Sequence, residues 1–340
     1  MTCLFRLIRL GFVWTGLIAV SAQAQVPLEV ELRTNGESSL ASLRTIRSLV
    51  LPAVVRVLDD RGKTMLLGLA VSEDGYVLTK ASEAPEGRRL RLAWADGQQG
   101  MARVVQMDHD LDLLLLKGDR DGVMPLAWQP SAKMQQGEWV VALTQSKEVP
   151  LQTRLGCLSA KRRAIPGHGA AMGISMEDTH AGDGVRITEV ASESPAESAG
   201  LQPNDLLLAM DGEPVLNMRM IQKSVAQFKP GRVVQLSVKR GADERQCRLR
   251  LASKSKVVSN WDGEDFANGG VSLRTDGFAD VLQHQVPLNP SDMGGPLLNL
   301  DGQPVGLNIA RVDRVTTFAL PMEAFWSQVQ QWMVLDRKSK

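Results

Sequence analysis

Short apolar runs of strand length follow one another through much of this 340-residue chain. In residues 53–80 the runs AVVRVL, MLLGLAVS and YVLT are separated by turn-forming residues at 59–62 and 73–75. Runs of this length bounded by aspartate and glycine predict antiparallel strands joined by tight turns. Such a meander is typical of a β-barrel.

Helical spacing of apolar residues appears in two segments. The first runs from Leu40 to Val50 and stops at Pro52, since proline cannot continue a helix. The second is NMRMIQKSVAQF at 217–228. We expect these to be short helices packed on a β core.

A hairpin pattern lies near the C-terminus, between Gln283 and Asn308. Apolar runs at 296–300 and 304–307 flank an Asp301-Gly302 turn, which is a strong local signal for a β-hairpin. The corner Gly294-Gly295-Pro296 precedes the first run. Taken alone, the pattern predicts only a tight corner in a β domain.

Composition and charge indicate an ordinary globular protein. The chain is 44% hydrophobic and 23% charged, and its formal net charge is +1. This length can form two or three domains. The basic triplet at 161–163 is too short for an electrostatic footprint on nucleic acid, so we expect no nucleic-acid partner.

The first 25 residues have the three parts of a secretory signal. Arg6 and Arg9 precede an apolar run from Leu10 to Val20, and Ala22-Gln23-Ala24 offers small residues for cleavage. We expect cleavage after Ala24 and a secreted or periplasmic protein without a membrane span. The alternative, an uncleaved anchor, needs about 20 apolar residues.

Cysteine and histidine usage gives no sign of a metal site. Cys3 leaves with the signal, and Cys157 and Cys247 fall in strand-like runs of different predicted domains, so we expect them to be unpaired, although one disulfide is arithmetically possible. We expect no metal and no other cofactor, because the four histidines lack zinc-type spacing. They are His109, His168, His180 and His284.

The stretch around the C-terminal hairpin resembles the nucleophile loop of the HtrA/Deg family of trypsin-like proteases, whose pattern contains G-N-S-G-G-P. The shared positions are Gln283, Asn289, Pro290, Gly294, Gly295, Pro296, Leu297, Asn299, Gly302, Gly306 and Asn308. The nucleophile's position holds Met293, whose thioether has no proton to lose and cannot form an acyl intermediate. Ser291 replaces a glycine whose N–H would belong to the oxyanion hole.

The resemblance places the other two triad positions in the first half of the chain. LGLAVSEDGYVLT at 67–79 resembles the segment that leads into the catalytic histidine, and that position falls on Ser82, whose hydroxyl is no general base near neutral pH. Asp112 occupies the position of the triad carboxylate, but without its histidine it can simply cap turn backbone. His109 is a poor substitute base because it occupies a turn in the aligned register.

Residues 165–254 resemble a bacterial PDZ domain, through SPA at 194–196, AGL at 199–201 and DG at 211–212. Such a domain binds an extended peptide as an added strand and captures the terminal carboxylate in a glycine-containing loop. The resemblance implies peptide-binding residues in the loop 171–174, the adjoining strand and a facing helix. They are Met172, Gly173, Ile174, Ser175, Met176, Ile221 and Val225.

The expected fold is mainly β: a trypsin-like double six-stranded β-barrel with a PDZ-like α+β domain inserted in the second barrel. The expected segments are the signal peptide (1–24), a lead-in with a short helix (25–52), the first part of the trypsin-like domain (53–164), the PDZ-like domain (165–254) and the second part with a C-terminal helix (269–335).

Three hypotheses for function follow from the resemblance. The first is a pseudoprotease that binds peptide C-termini or unfolded polypeptides as scaffold, chaperone or regulator in protein quality control. The second is an active serine endopeptidase with a nonstandard nucleophile. The third is a regulatory subunit in a mixed oligomer with active proteases; a trimer is implied by analogy. His284 and Gln285 lie near the expected specificity pocket, where a peptide could still bind, but we expect His284 at the surface or in a turn.

Overall fold

The computed structural model describes residues 29, 36–85, 89–145, 151–179, 184–259 and 269–339. The expected signal peptide, its cleavage after Ala24 and His180 lie outside these residues. Within them, no helix combines the length and the apolar character that a membrane crossing requires.

The first element is helix α1 (Glu37–Val50), which leads through one turn of 3-10 helix at 51–53 into the first sheet. Ile46 and Val50 are buried against the barrel core. Pro52 lies just beyond the α-helix, where its missing N–H costs no helical hydrogen bond. The helical spacing therefore predicted this helix and its end correctly.

Six antiparallel strands form the first closed barrel, in the order β1-β2-β3-β6-β5-β4. They are β1 (Val54–Leu58), β2 (Thr64–Ala70), β3 (Tyr76–Lys80), β4 (Arg89–Trp94), β5 (Gln99–Asp108) and β6 (Leu113–Gly118). The predicted turns at 59–62 and 73–75 join β1 to β2 and β2 to β3. Pairing of β1 with β4 closes the ring, so no sheet edge is left free.

After this barrel come β7 (Trp139–Thr144) and β8 (Gln152–Ile165), and the chain then enters a separate sheet at residues 170–253, which we call the PDZ-like sheet. Its strands are β9 (Ala170–Ala171), β10 (Ile174–Asp178), β11 (Val185–Val190), β12 (Leu206–Met210), β13 (Glu213–Pro214), β14 (Val233–Arg240), β15 (Asp243–Arg250) and β16 (Ala252–Ser253). The main sheet has the order β10-β11-β12-β14-β15, with β13 paired to β12, and β9 and β16 form a two-stranded sheet of their own beside it. Helices α2 (Pro195–Ser198) and α3 (Met218–Ala226) belong to the same region.

Helix α4 (Lys254–Ser259) follows the PDZ-like sheet, and the chain then returns to the second barrel. The remaining elements are β17 (Phe278–His284), β18 (Pro296–Leu298), β19 (Pro304–Arg311), β20 (Thr317–Pro321) and α5 (Trp326–Lys338). The second closed ring has the order β17-β20-β19-β18-β7-β8. Its strands therefore lie on both sides of the PDZ-like sheet in the sequence.

Two hydrophobic cores hold the molecule together. The buried side chains of both barrels form one continuous core, whereas the PDZ-like sheet encloses its own. Helix α5 covers the barrels with Val329 and Met333, and the Tyr76 hydroxyl donates to Asp336 at 2.5 Å. A core of its own is what a separately folding region requires.

Candidate functional site

Ser82 and Asp112 lie side by side, just after β3 and just before β6. The Ser82 N–H donates to Asp112 Oδ1 at 2.7 Å, and the Ser82 hydroxyl donates to Oδ2 at 2.9 Å. Both residues are buried, and Asp112 has a φ of 61°. The carboxylate thus caps the turn at residue 82, the structural role that the sequence left open for it.

A buried cation balances this carboxylate. Lys80 is fully buried, and its Nζ lies 2.5 Å from Glu83 Oε2 and 3.8 Å from Asp112 Oδ2. Lys80 Nζ and Glu83 Oε2 have no hydrogen bond of good geometry in the described structure, so their ion pair is the contact that compensates both charges. Burial raises the pKa of Asp112, and the charges of Lys80 and Arg274 oppose that shift.

The loop that the sequence aligns with the nucleophile is packed against the first barrel. A 3-10 turn at 290–292 leads into Met293, whose side chain is fully buried. The Met293 carbonyl accepts a hydrogen bond from the Leu67 N–H at 3.0 Å. Gly294 has a φ of +83°, and a side chain there would collide with the Leu67 carbonyl and the Thr79 hydroxyl. Glycine is therefore required at this contact for space as well as for its backbone angle.

Asp292 anchors this loop, a role that sequence reasoning missed. It is fully buried and accepts hydrogen bonds from the Thr144 hydroxyl at 2.6 Å, the Gln145 N–H at 2.9 Å and the Asn289 N–H at 2.8 Å. Burial raises its pKa, and these donors act in the opposite direction. The sequence feature that could have indicated this role is the aspartate one residue before Met293, the position aligned with the nucleophile.

One backbone donor that an oxyanion hole would need is already occupied at Met293. The Met293 N–H donates to the Pro290 carbonyl at 3.2 Å, inside the 3-10 turn. The Ser291 carbonyl is held by Gln145 Nε2 at 2.8 Å. An oxyanion hole needs N–H groups that point together at the developing charge. At Met293 that donor is already used within the loop.

His284 is not a surface or turn residue, as we expected, but a core residue. It has no exposed surface, and its Nε2 lies 2.9 Å from Asn308 Oδ1. The Val286 N–H donates to Nδ1 at 3.2 Å, which makes Nε2 the protonated nitrogen. Burial lowers the pKa of His284 to about 4. The expectation was wrong because the position lies on β17, at its pairing with β20.

His109 is exposed on the loop between β5 and β6. Its carbonyl accepts a hydrogen bond from Arg274 Nη1 at 2.6 Å. The neighbouring Asp110 forms an ion pair with Lys229 of the PDZ-like sheet. His109 therefore belongs to the contact between the first barrel and its surroundings, and Asp112 takes its hydrogen bonds from Ser82 instead.

The turn at 229–232 of the PDZ-like sheet packs on Ser82. A Cβ atom at Gly231 would lie 2.6 Å from Ser82 Cβ, so the two backbones are in close contact there. Arg250 Nη1 donates to the Ser82 carbonyl at 2.8 Å. We call the region formed by Ser82, Asp112 and the 290–294 loop the cleft. The PDZ-like sheet covers its Ser82 side.

A second site is open. We call it the groove: a cavity of 490 Å³ between the 169–174 loop, β10 and α3. Its lining residues are His168, Gly169, Ala170, Ala171, Met172, Gly173, Ile174, Met176, Ile221, Gln222, Val225, Ala226, Lys254 and Val257. Of the seven predicted peptide-binding residues, only Ser175 does not line it; its hydroxyl lies 3.5 Å from Glu189. Sequence reasoning missed His168, Lys254 and Val257.

The edge of the PDZ-like sheet lies beside this cavity. Strand β10 pairs with β11 on one side and is the last strand of the sheet on the other, within the described ranges. An edge strand offers backbone N–H and C=O groups to an added strand. Among the described residues, no three His, Cys, Asp or Glu side chains come together as a metal site, and Cys157 and Cys247 are both free thiols.

Two closed barrels and a separate sheet with an open groove define a class of protein, the trypsin-like fold combined with a PDZ-like module. A family model described as "Trypsin-like peptidase domain" matches residues 67–200, and one described as "PDZ domain" matches 170–251. The two matches overlap at 170–200, which the structure places in the PDZ-like sheet. The chain thus joins a region that matches a trypsin-like peptidase domain to a region that matches a PDZ domain.

Several curated proteins are similar to this chain. A probable periplasmic serine endoprotease, DegP-like, of Chlamydia trachomatis is 21% identical over 252 residues, which is 51% of each chain. A protein of the same name from Pseudomonas putida is 20% identical and covers 66% of this chain and 62% of its own. The serine endoprotease DegS of Escherichia coli is 31% identical over 77 residues, or 23% and 21% of the two chains.

The chain thus spans about half the length of the first of these relatives. Among solved structures, the serine endoprotease from Yersinia pestis is 17% identical and covers 62% of this chain and 97% of its own, with a TM-score of 0.29.

Proposed function

We propose that this protein is a pseudoprotease of the HtrA/Deg type that binds peptide C-termini or unfolded segments through its groove. The observation that carries the proposal is Met293: it occupies the aligned nucleophile position, is fully buried, and has its N–H bonded to the Pro290 carbonyl. A buried thioether offers neither a nucleophile nor access to a substrate.

Each step of serine proteolysis lacks its group in the cleft. The base is missing because Ser82 stands at the aligned histidine position, where its hydroxyl donates a hydrogen bond to Asp112 and cannot accept a proton near neutral pH. One of the oxyanion donors is lost because the Met293 N–H is used within its own turn. In subtilisin, a serine protease of another fold, loss of either the serine or the histidine costs about a millionfold in turnover. With both replaced, hydrolysis is not the function that this geometry supports.

The groove supports peptide binding. Its walls are apolar side chains of β10 and α3, among them Ile174, Met176, Ile221 and Val225, and β10 is an edge strand. A peptide added to this edge gains main-chain hydrogen bonds along its length, while the cavity receives an apolar side chain. A terminal carboxylate would lie in the loop that contains Gly173.

The domain order and the location belong to the same proposal. Insertion of the PDZ-like domain in the second barrel is supported by the strands of that barrel on both sides of it in the sequence. A periplasmic location is supported by the signal-like first 24 residues and by the names of the relatives. Light scattering of the mature chain tests the trimer that the resemblance implies.

The proposal is tested by incubating the chain without residues 1–24 with unfolded casein and, separately, with a fluorophosphonate that labels active serines. We expect no cleavage and no label. The variant Met293→Ser/Ser82→His should also stay inactive. An imidazole at position 82 would clash with Gly231, and the backbone N–H of residue 293 would still donate to the Pro290 carbonyl. Cleavage with covalent labelling of the unaltered chain would overturn the proposal in favour of a nonstandard nucleophile.

A further inference from the structure

The loop end of the groove is built partly by residues that follow the PDZ match at 170–251. Strand β16 pairs with β9, with Ala252 opposite Ala171 and Ser253 opposite Ala170. The Lys254 N–H then donates to the Gly169 carbonyl at 2.9 Å. The chain from 252 onward is therefore fixed beside the loop in which a peptide's last residue would lie.

Val257 of α4 supplies a wall at this end. It is 4% exposed, and its Cγ1 would lie 3.4 Å from a Cβ atom on Gly173. Gly173 has a φ of +82°, a backbone conformation that favours glycine. The space next to the loop is thus bounded by a side chain from the segment that leads back towards the second barrel.

The basic side chains His168 and Lys254 both line this end of the groove, and they differ in their partners. His168 Nδ1 lies 3.0 Å from Asp276 Oδ2, and Asp276 is buried and also accepts from the hydroxyls of Ser253 at 3.1 Å and Ser255 at 2.9 Å. The carboxylate of Asp276 therefore already has hydrogen-bond partners. Lys254 lines the cavity and forms no salt bridge within the described ranges.

We propose that residues 252–257 complete the peptide site and that Lys254 selects peptides with a free C-terminal carboxylate. This inference rests on the proposed peptide-binding function and adds to it a specificity-determining residue from outside the PDZ match. A carboxylate in the loop around Gly173 would meet the ammonium group of Lys254, whereas an amidated C-terminus carries no charge for it to attract.

The test is fluorescence anisotropy of two labelled ten-residue peptides that share one sequence ending in Ala-Leu-Val, one with a free C-terminus and one amidated. We expect Lys254→Gln to weaken binding of the free acid by about 3- to 10-fold and to leave the amide unchanged, the size of a partly exposed charge-assisted contact. Lys254→Arg should retain the preference. High salt should reduce the difference between the two peptides for the unaltered chain.

The matched control is Lys223→Gln, which removes the same charge from an exposed position on α3 that does not line the cavity. It should change neither affinity. If Lys254→Gln weakened the affinity for the acid and the amide equally, Lys254 would have a structural role and the inference would be overturned. An unchanged affinity for both peptides would also overturn it. If the unaltered chain binds neither peptide, the proposed peptide binding fails and this inference fails with it; if it binds both and only the Lys254 effect is absent, the inference fails alone.

Discussion

The cleft and the groove differ in what fills them. In the cleft, the side chains at the aligned triad positions are buried and bonded to one another or packed in the core, and the turn at 229–232 covers Ser82. In the groove, apolar side chains surround 490 Å³ of space beside an edge strand. The first region is packed like a structural core, whereas the second keeps the open apolar space that the proposed peptide binding requires.

Under the proposed function, the cleft is a site that has lost its chemistry and remains necessary for the fold. Asp112 still caps the turn at residue 82, and Lys80 and Glu83 keep its charge compensated. Substitutions in the cleft should therefore cost stability, whereas substitutions in the groove should cost binding. A groove substitution that cost mainly stability, or a cleft substitution that cost none, would contradict this difference.

The largest effect is expected from Lys80→Met. The substitution removes the cation that lies 2.5 Å from Glu83 and 3.8 Å from Asp112, both in a buried setting. An uncompensated buried charge typically costs about 3–5 kcal/mol of unfolding free energy. Urea denaturation followed by circular dichroism measures the loss.

Lys133→Met is the control, since Lys133 is exposed and the same change there should cost less than about 0.5 kcal/mol. Adding Asp112→Asn to Lys80→Met should recover part of the lost stability, because it removes one of the two unpaired charges. A loss below about 1 kcal/mol for Lys80→Met would contradict the structural role of this cluster.

The second effect concerns pH. The pKa of His284 is lowered by burial from 6.5 to about 4, so the unfolded chain takes up this proton before the folded chain does. The contribution of His284 to the unfolding free energy is fully present above pH 6.5 and falls as the pH drops towards 4. The shift corresponds to about 3 kcal/mol at most.

His284→Gln keeps an uncharged polar group beside Asn308 and should remove this part of the pH dependence. Denaturation curves of the unaltered chain and the variant are measured between pH 7 and 4, a range that spans the unfolded and folded pKa values of His284. The difference between the two unfolding free energies at each pH gives the contribution of His284. The difference is needed because burial raises the pKa of Asp112 and Asp292, which stabilises the folded chain as the pH falls. Parallel curves would show that His284 does not titrate in this range.

The apolar pattern predicted strands β1 to β3, the turns at 59–62 and 73–75, and helices α1 and α3, because each depends on local spacing; it did not predict α2 or α4. The resemblance placed the C-terminal helix at 324–335, whereas α5 begins at Trp326 and runs to Lys338. The burial of His284 could not be read locally, since it depends on β17 pairing with β20 and β8 from distant parts of the chain.

The same limit applies to the candidate sites. Motifs point to Ser82, Asp112 and Met293 one by one, but the packing of Gly231 on Ser82 joins residues about 150 positions apart. Lys80 carries no motif, and Val257 lies outside the recognisable PDZ pattern. Contacts between separately patterned regions are set by tertiary packing, which sequence periodicity does not describe.

The smallest effect on stability is expected in the groove. Met176 lines the cavity from the edge strand β10 and is only half-buried. Met176→Gln keeps a similar length and should change the unfolding free energy by less than about 1 kcal/mol. It should weaken binding of the free-acid peptide by about 5- to 10-fold, because a polar group then faces the apolar cavity.

Ser175→Ala is the neighbouring control, since Ser175 lies on the same strand but does not line the cavity. It should leave both stability and affinity unchanged. If Met176→Gln instead destabilised the chain as strongly as Lys80→Met without affecting binding, the groove would be a core like the cleft, and the two regions would no longer differ in kind.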